Sequence, residues 1–334
     1  MTIRSTRRCL LAGSAAALLA GQALLPGSSW AQTTLTLGHG AAPGNPRSVA
    51  AEEFAKLVDE KTGGEVKINI AGSEQLGNDV AMLTSLRTGA LDITANSQGA
   101  ASGLVPELGA LGLPFIFEDA DEAFAVLEGP VGDELESKFQ DLGIITLGWW
   151  DNGIRHITTT NKPVEQPEDL KGLKIRTPAD PMTIDIFQAL GAATEQIAFS
   201  ELYVALQQGV VDGQENPLAN IASSKLYEVT PNISLSAHKW ESTPFLASQI
   251  GWARLTPEQQ AAVQEAATEA GQLQRQLMKE ADEKHLADFQ ADPNLNVNEV
   301  DREAFKEATA PVIESWQQKE FGDFVSKVVE AAGS

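Results

Sequence analysis

The chain has 334 residues and a formal net charge of −22, with 24 lysines and arginines against 46 aspartates and glutamates. So acidic a protein repels phosphate backbones and anionic bilayers, which excludes nucleic acid and membrane surfaces as partners held by general charge. The single cysteine, Cys9, stands near the start, so the rest of the chain has no disulfide, thiolate metal site or cysteine nucleophile.

Met1 to Ala31 reads as an export signal. Arg4, Arg7 and Arg8 precede an apolar stretch from Leu10 to Leu25, and Ser29-Trp30-Ala31 offers a small-x-small cleavage site before Gln32. Gly13 and Gly21 interrupt the apolar run, which is too short for a transmembrane anchor. Arg7-Arg8 fits a twin-arginine route, and a paired arginine also occurs in ordinary secretory signals. Cleavage after Ala31 leaves 303 residues and, with three arginines removed, a net charge of −25. That length suits two α/β domains.

Thr33 to Gly38 alternates as a first strand, and Asn45-Pro46 opens a helix that runs to Gly63-Gly64. Val66, Ile68 and Ile70 mark a second strand, Gly77 to Thr88 a second helix, and Leu91 to Ile93 a third strand. This β-α-β-α-β order predicts a parallel sheet whose loops carry His39, Glu74 and Ser97 to one edge. An apolar connector, Pro106 to Phe117, leads to a charged amphipathic helix over 119–142. Ile144 to Trp149 reads as a strand broken at Trp150 to Gly153, where the chain passes into a second domain; Arg155 follows at once.

Leu173 and Ile175 form a short strand stopped by Thr177-Pro178, since proline cannot donate to a ladder. Arg176 therefore stands at a strand's C-terminal end, where open α/β sheets bind ligands. Its planar fork matches a carboxylate in bidentate fashion, whether that of a ligand or of the protein itself. Val210 to Asp212 reads as a second apolar strand, closed by Gly213 to Pro217, which sets the Asn216 amide nearby. Ile221 to Val229 is helical. Ile233 to Leu235 is a strand leading to His238-Lys239-Trp240-Glu241, and Pro244 to Trp252 returns to the first domain. Thr256-Pro257-Glu258-Gln259 is a capping box that starts a long helix to about Asp288. A last strand, Asn296 to Val300, precedes terminal helices.

Enzyme signatures are absent: there is no Gly-x-Ser-x-Gly elbow and no phosphate loop. Gly38 to Pro43 starts like a dinucleotide fingerprint, with proline in place of the third glycine. Asp292 to Glu303 has the ligand spacing of a calcium loop, with Val297 where the glycine of the turn belongs. Histidines 39, 156, 238 and 285 show no metal-ligand spacing. No catalytic residue, metal ligand or cofactor is expected.

Three stretches carry a family resemblance: DLKGLKIRTP (169–178), FSELYVALQQGVVDGQENPL (199–218) and ANSQGAASGLVPELGALGLPFIF (95–117). On these the chain resembles the substrate-binding protein of a tripartite ATP-independent periplasmic (TRAP) transporter of the C4-dicarboxylate-binding type. The resemblance implies a two-domain α/β fold like that of type II periplasmic binding proteins, with a ligand cleft between the domains and a long helix spanning both. The domains expected are 32–153 plus 242–281 and 154–241 plus 282–334, after the 1–31 signal. By the same resemblance Arg176 clamps the ligand carboxylate, Arg155 is a second ligand arginine, Asn216 helps hold the carboxylate and Phe199 packs on the ligand. His39, Glu74, Ser97, His238 and Trp240 fall where family members vary their contacts. The expected function is capture of a small organic acid (a dicarboxylate, keto acid, aromatic acid or sugar acid) in the periplasm by a monomer. Delivery is to the small and large membrane subunits of a permease. The alternatives are a periplasmic enzyme acting on organic acids and a receptor serving a sensor kinase.

Overall fold

A computed structural model describes residues 32–333; the expected export signal, Met1 to Ala31, lies outside the described residues. Asn45 accepts a hydrogen bond from the Arg47 amide, and Pro46 sits in the first turn, so β1 (Thr33–His39) passes cleanly into α1 (Pro46–Lys61). β2 (Val66–Ala71), α2 (Asp79–Thr88) and β3 (Ile93–Ala95) complete the predicted alternation. β1 pairs in parallel with both other strands, Leu35 opposite Ile68 and Leu37 opposite Ile93. The crossover helices are what parallel pairing requires.

α3 (Gln98–Ala101) follows, and then the apolar connector, which includes a 3-10 turn at Pro106–Gly112. The one amphipathic helix expected over 119–142 is two, α4 (Ala120–Leu127) and α5 (Pro130–Asp141). Gly129 lies between them, and Pro130, with no amide to donate back, has to begin a helix instead of continuing one.

The larger differences concern the crossing strands. β4 (Ile144–Thr159) does not break at Trp150 to Gly153 but continues for 16 residues. Register shifts against its neighbour occur between Thr146 and Gly148, Asp151 and Gly153, and Arg155 and Ile157; Gly153 takes a φ of 107. Bulges absorb the glycines and turn the strand without ending its pairing. After β5 (Lys174–Thr177), α6 (Pro181–Ala189), β6 (Ala193–Gln196) and α7 (Leu202–Gln207), the strand expected at 210–212 lies instead at β7 (Gly213–Asn216). Val210 is exposed, whereas Gln214, Glu215 and Asn216 are buried. Their polar side chains are satisfied by one another and by β4: Gln214 Nε2 donates to Thr158 Oγ1 at 2.8 Å and Asn216 Nδ2 to Gln214 Oε1 at 2.5 Å.

The helix expected over 221–229 is α8 (Leu218–Ser223) plus a short 3-10 turn. β8 (Asn232–Ser248) joins two expected segments into one strand of 17 residues. Lys239 and Glu241 hid its interior because charges rarely sit mid-sheet; here both are buried and paired. After α9 (Gln249–Trp252), the capping box closes as expected around Thr256 and Gln259 and opens α10 (Pro257–Ala291), 35 residues long. β9 (Asn296–Glu299), α11 (Arg302–Gln317) and α12 (Gly322–Ala332) finish the described chain.

Among the described residues nine strands make one sheet in the order β2-β1-β3-β8-β4-β7-β5-β6, with β9 also pairing β8. The long antiparallel pair β4–β8 therefore joins two parallel α/β lobes, and α10 packs on α1, β4 and α8 along its length. Under the first lobe, Leu37, Phe54, Ile93, Trp150 and Phe245 form one apolar cluster. A larger cluster brings Leu111, Phe117 and Phe139 together with Phe187, Trp240 and Trp316.

Phe54 is fully buried, its ring edge-on to Phe245 at 4.9 Å. Phe54→Ala is expected to cost about 3–5 kcal/mol of unfolding free energy. Val204→Ala, at a site 49% exposed, should stay within about 0.5 kcal/mol. Urea denaturation of the mature chain checks both.

Candidate ligand-binding cleft

Arg176 leaves the end of β5 pointing into the space between the lobes. Its Nε donates to the Ile197 carbonyl at 2.9 Å, and its guanidinium stands 5.8 Å from the centre of the Phe199 ring. The residue is only 3% exposed. Among the described residues no carboxylate lies within ion-pair distance of it, and neither terminal nitrogen has a hydrogen-bond partner. Burial pushes the group down to about 10, and the charges of Glu215, Glu74 and Asp79 offset this only in part. A desolvated cation with a free fork is an anion site waiting for its anion.

Arg155, on β4, is the opposite case. Its Nε and Nη2 donate to the Glu215 carboxylate on β7, and Nη1 donates to Glu241 on β8. Nη2 also reaches the Glu215 carbonyl at 2.8 Å and Asn216 Oδ1 at 3.3 Å. Burial pushes Arg155 down, but Glu215 and Glu241 outweigh it and the net shift is upward. Burial pushes Glu215 up, and Arg155 beside it brings the carboxyl down to about 2.

Around these two arginines a cavity of about 40 Å³ is lined by Gly40, Arg47, Glu74, Asp79, Ser97, Asn152, Phe199, Asn216, Asn220 and Glu241, among others. It adjoins a wider hollow of about 460 Å³ that shares Glu74, Asp79, Ser97, Arg176, Pro178 and Phe199 with it. Six of the nine residues singled out in the sequence (Glu74, Ser97, Arg155, Arg176, Phe199 and Asn216) thus face one space. Glu74 is held there by left-handed backbone at Ser73 and Glu74, and its Oε2 accepts from the Ser200 amide at 2.9 Å.

His39, His238 and Trp240 do not line it. His39 is buried behind the loop, accepts from the Ala41 amide at 3.2 Å, and is pushed down to about 4 by burial and then by Arg47. His238 and Trp240 share one face of β8, and successive side chains on a strand alternate. His238 lies under the floor, 3.3 Å from Glu215. Trp240 is in the core, donating to Asp151 at 2.9 Å between Phe117 and Phe124. The other face of β8 supplies Glu241. Lys239, also buried, pairs with Asp180 at 2.5 Å.

Sequence reasoning missed Arg47, Asp79, Asn152, Asn220 and Glu241. Arg47 Nη2 donates to Asn152 Oδ1 at 2.9 Å and Thr243 Oγ1 at 2.8 Å. One signal was present: a cation in the first turn of α1 opposes the helix dipole, so its position calls for another reason. A larger hollow of about 700 Å³ lies away from the cleft between α4 and α10, but its Arg275 already pairs with Glu128 at 2.7 Å. Among the described residues no cluster of histidines and carboxylates is placed to hold a metal ion.

Comparison with known proteins follows the same line. The bacterial extracellular solute-binding protein family 7 matches residues 37–320. An uncharacterized protein of Sinorhizobium fredii is 64% identical over 94% of this chain, which spans 58% of that relative's length. The 2,3-diketo-L-gulonate-binding periplasmic protein of Escherichia coli is 35% identical over 88% of this chain and 89% of its own. Among solved structures, the sugar acid binding protein of Advenella mimigardefordensis in complex with galactonate superposes with a TM-score of 0.88. It is 33% identical, over 90% of this chain and 98% of its own.

Glu215 gives the floor a pH dependence. Its folded value, about 2, lies below the ordinary 4.5, so its stabilisation is complete above about pH 4.5 and is lost as pH falls toward 2. Glu215→Gln should be markedly less stable than the parent at pH 7. The gap should close over that window in urea titrations run at stepped pH.

Proposed function

The chain belongs to family 7 of the bacterial extracellular solute-binding proteins, and from that membership we propose that it captures a small organic acid by its carboxylate on Arg176 and passes it to a TRAP-type permease. The observation that carries this reading is the buried, unpartnered fork of Arg176. A carboxylate there gains two parallel charge-assisted bonds and removes the cost of an isolated buried cation. Phe199 covers the pair from one side, and Arg155 with Asn216 forms the floor. The reading assigns no bond-making step, only capture and release.

The hinge is placed where β4 and β8 pass between lobes and within α10, dividing the chain into 32–153 plus 242–281 and 154–241 plus 282–334. Glu74 to Ser200, and Asn45 to Asn220 and Ser223 at 2.9 and 3.2 Å, then bond across the closed cleft. Ligand that touches both sides favours that closed form. The protein acts in the periplasm as a monomer, with small and large membrane subunits as its partners. Among the described residues no helix is long and apolar enough to cross a membrane. The mature protein recovered from the periplasm should begin at Gln32 on N-terminal sequencing; an intact Met1 there would contradict the export assignment.

The two arginines separate binding from folding. Arg176→Ala should leave the melting of the empty protein unchanged or raise it. Its affinity for the ligand should fall about thirtyfold to several thousandfold, the roughly 2–5 kcal/mol of a lost buried charge pair. Arg176→Lys should restore part of that, keeping charge but losing the fork. Arg155→Ala should instead cost about 3–5 kcal/mol of stability, because it strands two buried carboxylates. Calorimetric titration and melting on the same set decide the matter. An Arg176→Ala protein that melts far lower yet binds normally would refute the clamp.

A further inference from the structure

Opposite Arg176 the cleft is acidic. Asp79, at the first position of α2, has an Oδ1 that is sealed from solvent and has no hydrogen-bond partner. Asp79 lines the cavity beside Gly40, where an added Cβ would sit 3.6 Å from that oxygen. Glu74 stands beside it, its Oε2 taken by Ser200 and its Oε1 without a partner among the described residues. The Ser97 hydroxyl lies close enough to favour the ionised carboxyl, but no donor stands at full hydrogen-bond distance from Oδ1, so its demand is met only in part. Burial pushes the Asp79 carboxyl up, Arg47 and the Ser97 hydroxyl offset this in part, and a donor arriving with the ligand would add to them.

We propose that the cleft selects monocarboxylates bearing hydroxyl groups at the end away from Arg176 and rejects a second carboxylate there, with Asp79 as the residue that discriminates. This rests on the reading that Arg176 holds the first carboxylate. Hydroxyls donate to Asp79 and Glu74 without adding charge. A second carboxylate brings only acceptors against Asp79 and places like charges together, the arrangement by which sites exclude a wrong partner. An ammonium would satisfy Asp79, but Arg47, whose charge already acts on Asp79, opposes it. Arg47 lines the same cavity with Nη2 engaged by Asn152 and Thr243, and a second carboxylate that used its remaining nitrogens would still meet the like charge of Asp79. A site built to hydrogen-bond a hydroxyl discriminates strongly against a ligand that lacks one, because its own buried group is then left unpaired.

The test is calorimetric titration of the mature protein with galactonate, erythronate, succinate and 4-aminobutyrate, on the parent, Asp79→Asn and Arg176→Ala. Empty-state melting confirms that each variant is folded. One or both hydroxy acids should bind at least tenfold more tightly than succinate and 4-aminobutyrate. Asp79→Asn, which replaces an acceptor oxygen by a donor amide, should shrink the ratio of hydroxy acid to succinate at least tenfold. Succinate or 4-aminobutyrate binding as tightly as the hydroxy acids, or a ratio unchanged in Asp79→Asn, overturns the inference while leaving carboxylate capture intact, provided Arg176→Ala still abolishes binding. If none of these acids binds the parent at millimolar concentration, or Arg176→Ala binds normally, carboxylate capture itself fails and the inference with it.

Discussion

Arg155 ties three strands together by charge. It stands on β4 between Glu215 of β7 and Glu241 of β8, with all three side chains buried. Each such ion loses several kcal/mol of hydration, which only dense, well-aligned bonding offsets. Here every guanidinium nitrogen is used, and Asn152 Nδ2 and the Gly99 amide complete Glu241 at 2.8 and 3.1 Å. The cluster therefore fixes the cleft floor and, through Gly99, the approach of α3 to the second lobe. A Cβ on Gly99 would lie 2.3 Å from the Cβ of Asp180, so only glycine fits there.

The bonds between the cleft walls are of another kind. Glu74 to Ser200, and Asn45 to Asn220 and Ser223, are polar and few. Each exchanges readily for water, so each contributes little net stability. Of the apolar clusters, one lies under the first lobe and along α10, and the larger runs across both lobes, joining Leu111 and Phe117 to Phe187 and Trp316.

Periodicity made the first lobe legible: alternation in β1 and β2, the helix start at Asn45-Pro46 and the capping box at Thr256 all read directly. The crossing strands were not legible, because their interiors are charged. Lys239, Glu241, Gln214 and Glu215 are polar residues whose partners lie far along the chain, and local pattern carries no trace of those pairings. Six of the nine expected site residues face the cleft. On β8 the cavity is lined by Glu241 and not by His238 or Trp240, a difference that a resemblance without coordinates does not carry. Asp79 carries no local signal of a site, since an acid in the first turn of a helix is common.

Two arginines that a family pattern treats alike are thus physically unlike. Arg155 is saturated by the protein, whereas Arg176 has its fork free in a site that is nearly dry. An isolated buried cation disfavours the closed, empty form, and opening restores its water. A carboxylate reverses the sign of that term by supplying the missing partner. On the proposed hinge, closure is then coupled to occupancy by one residue, with no separate switch. The saturated neighbour matters to the same end: with Glu215 and Glu241 committed to Arg155, neither can swing over to neutralise Arg176 in place of the ligand.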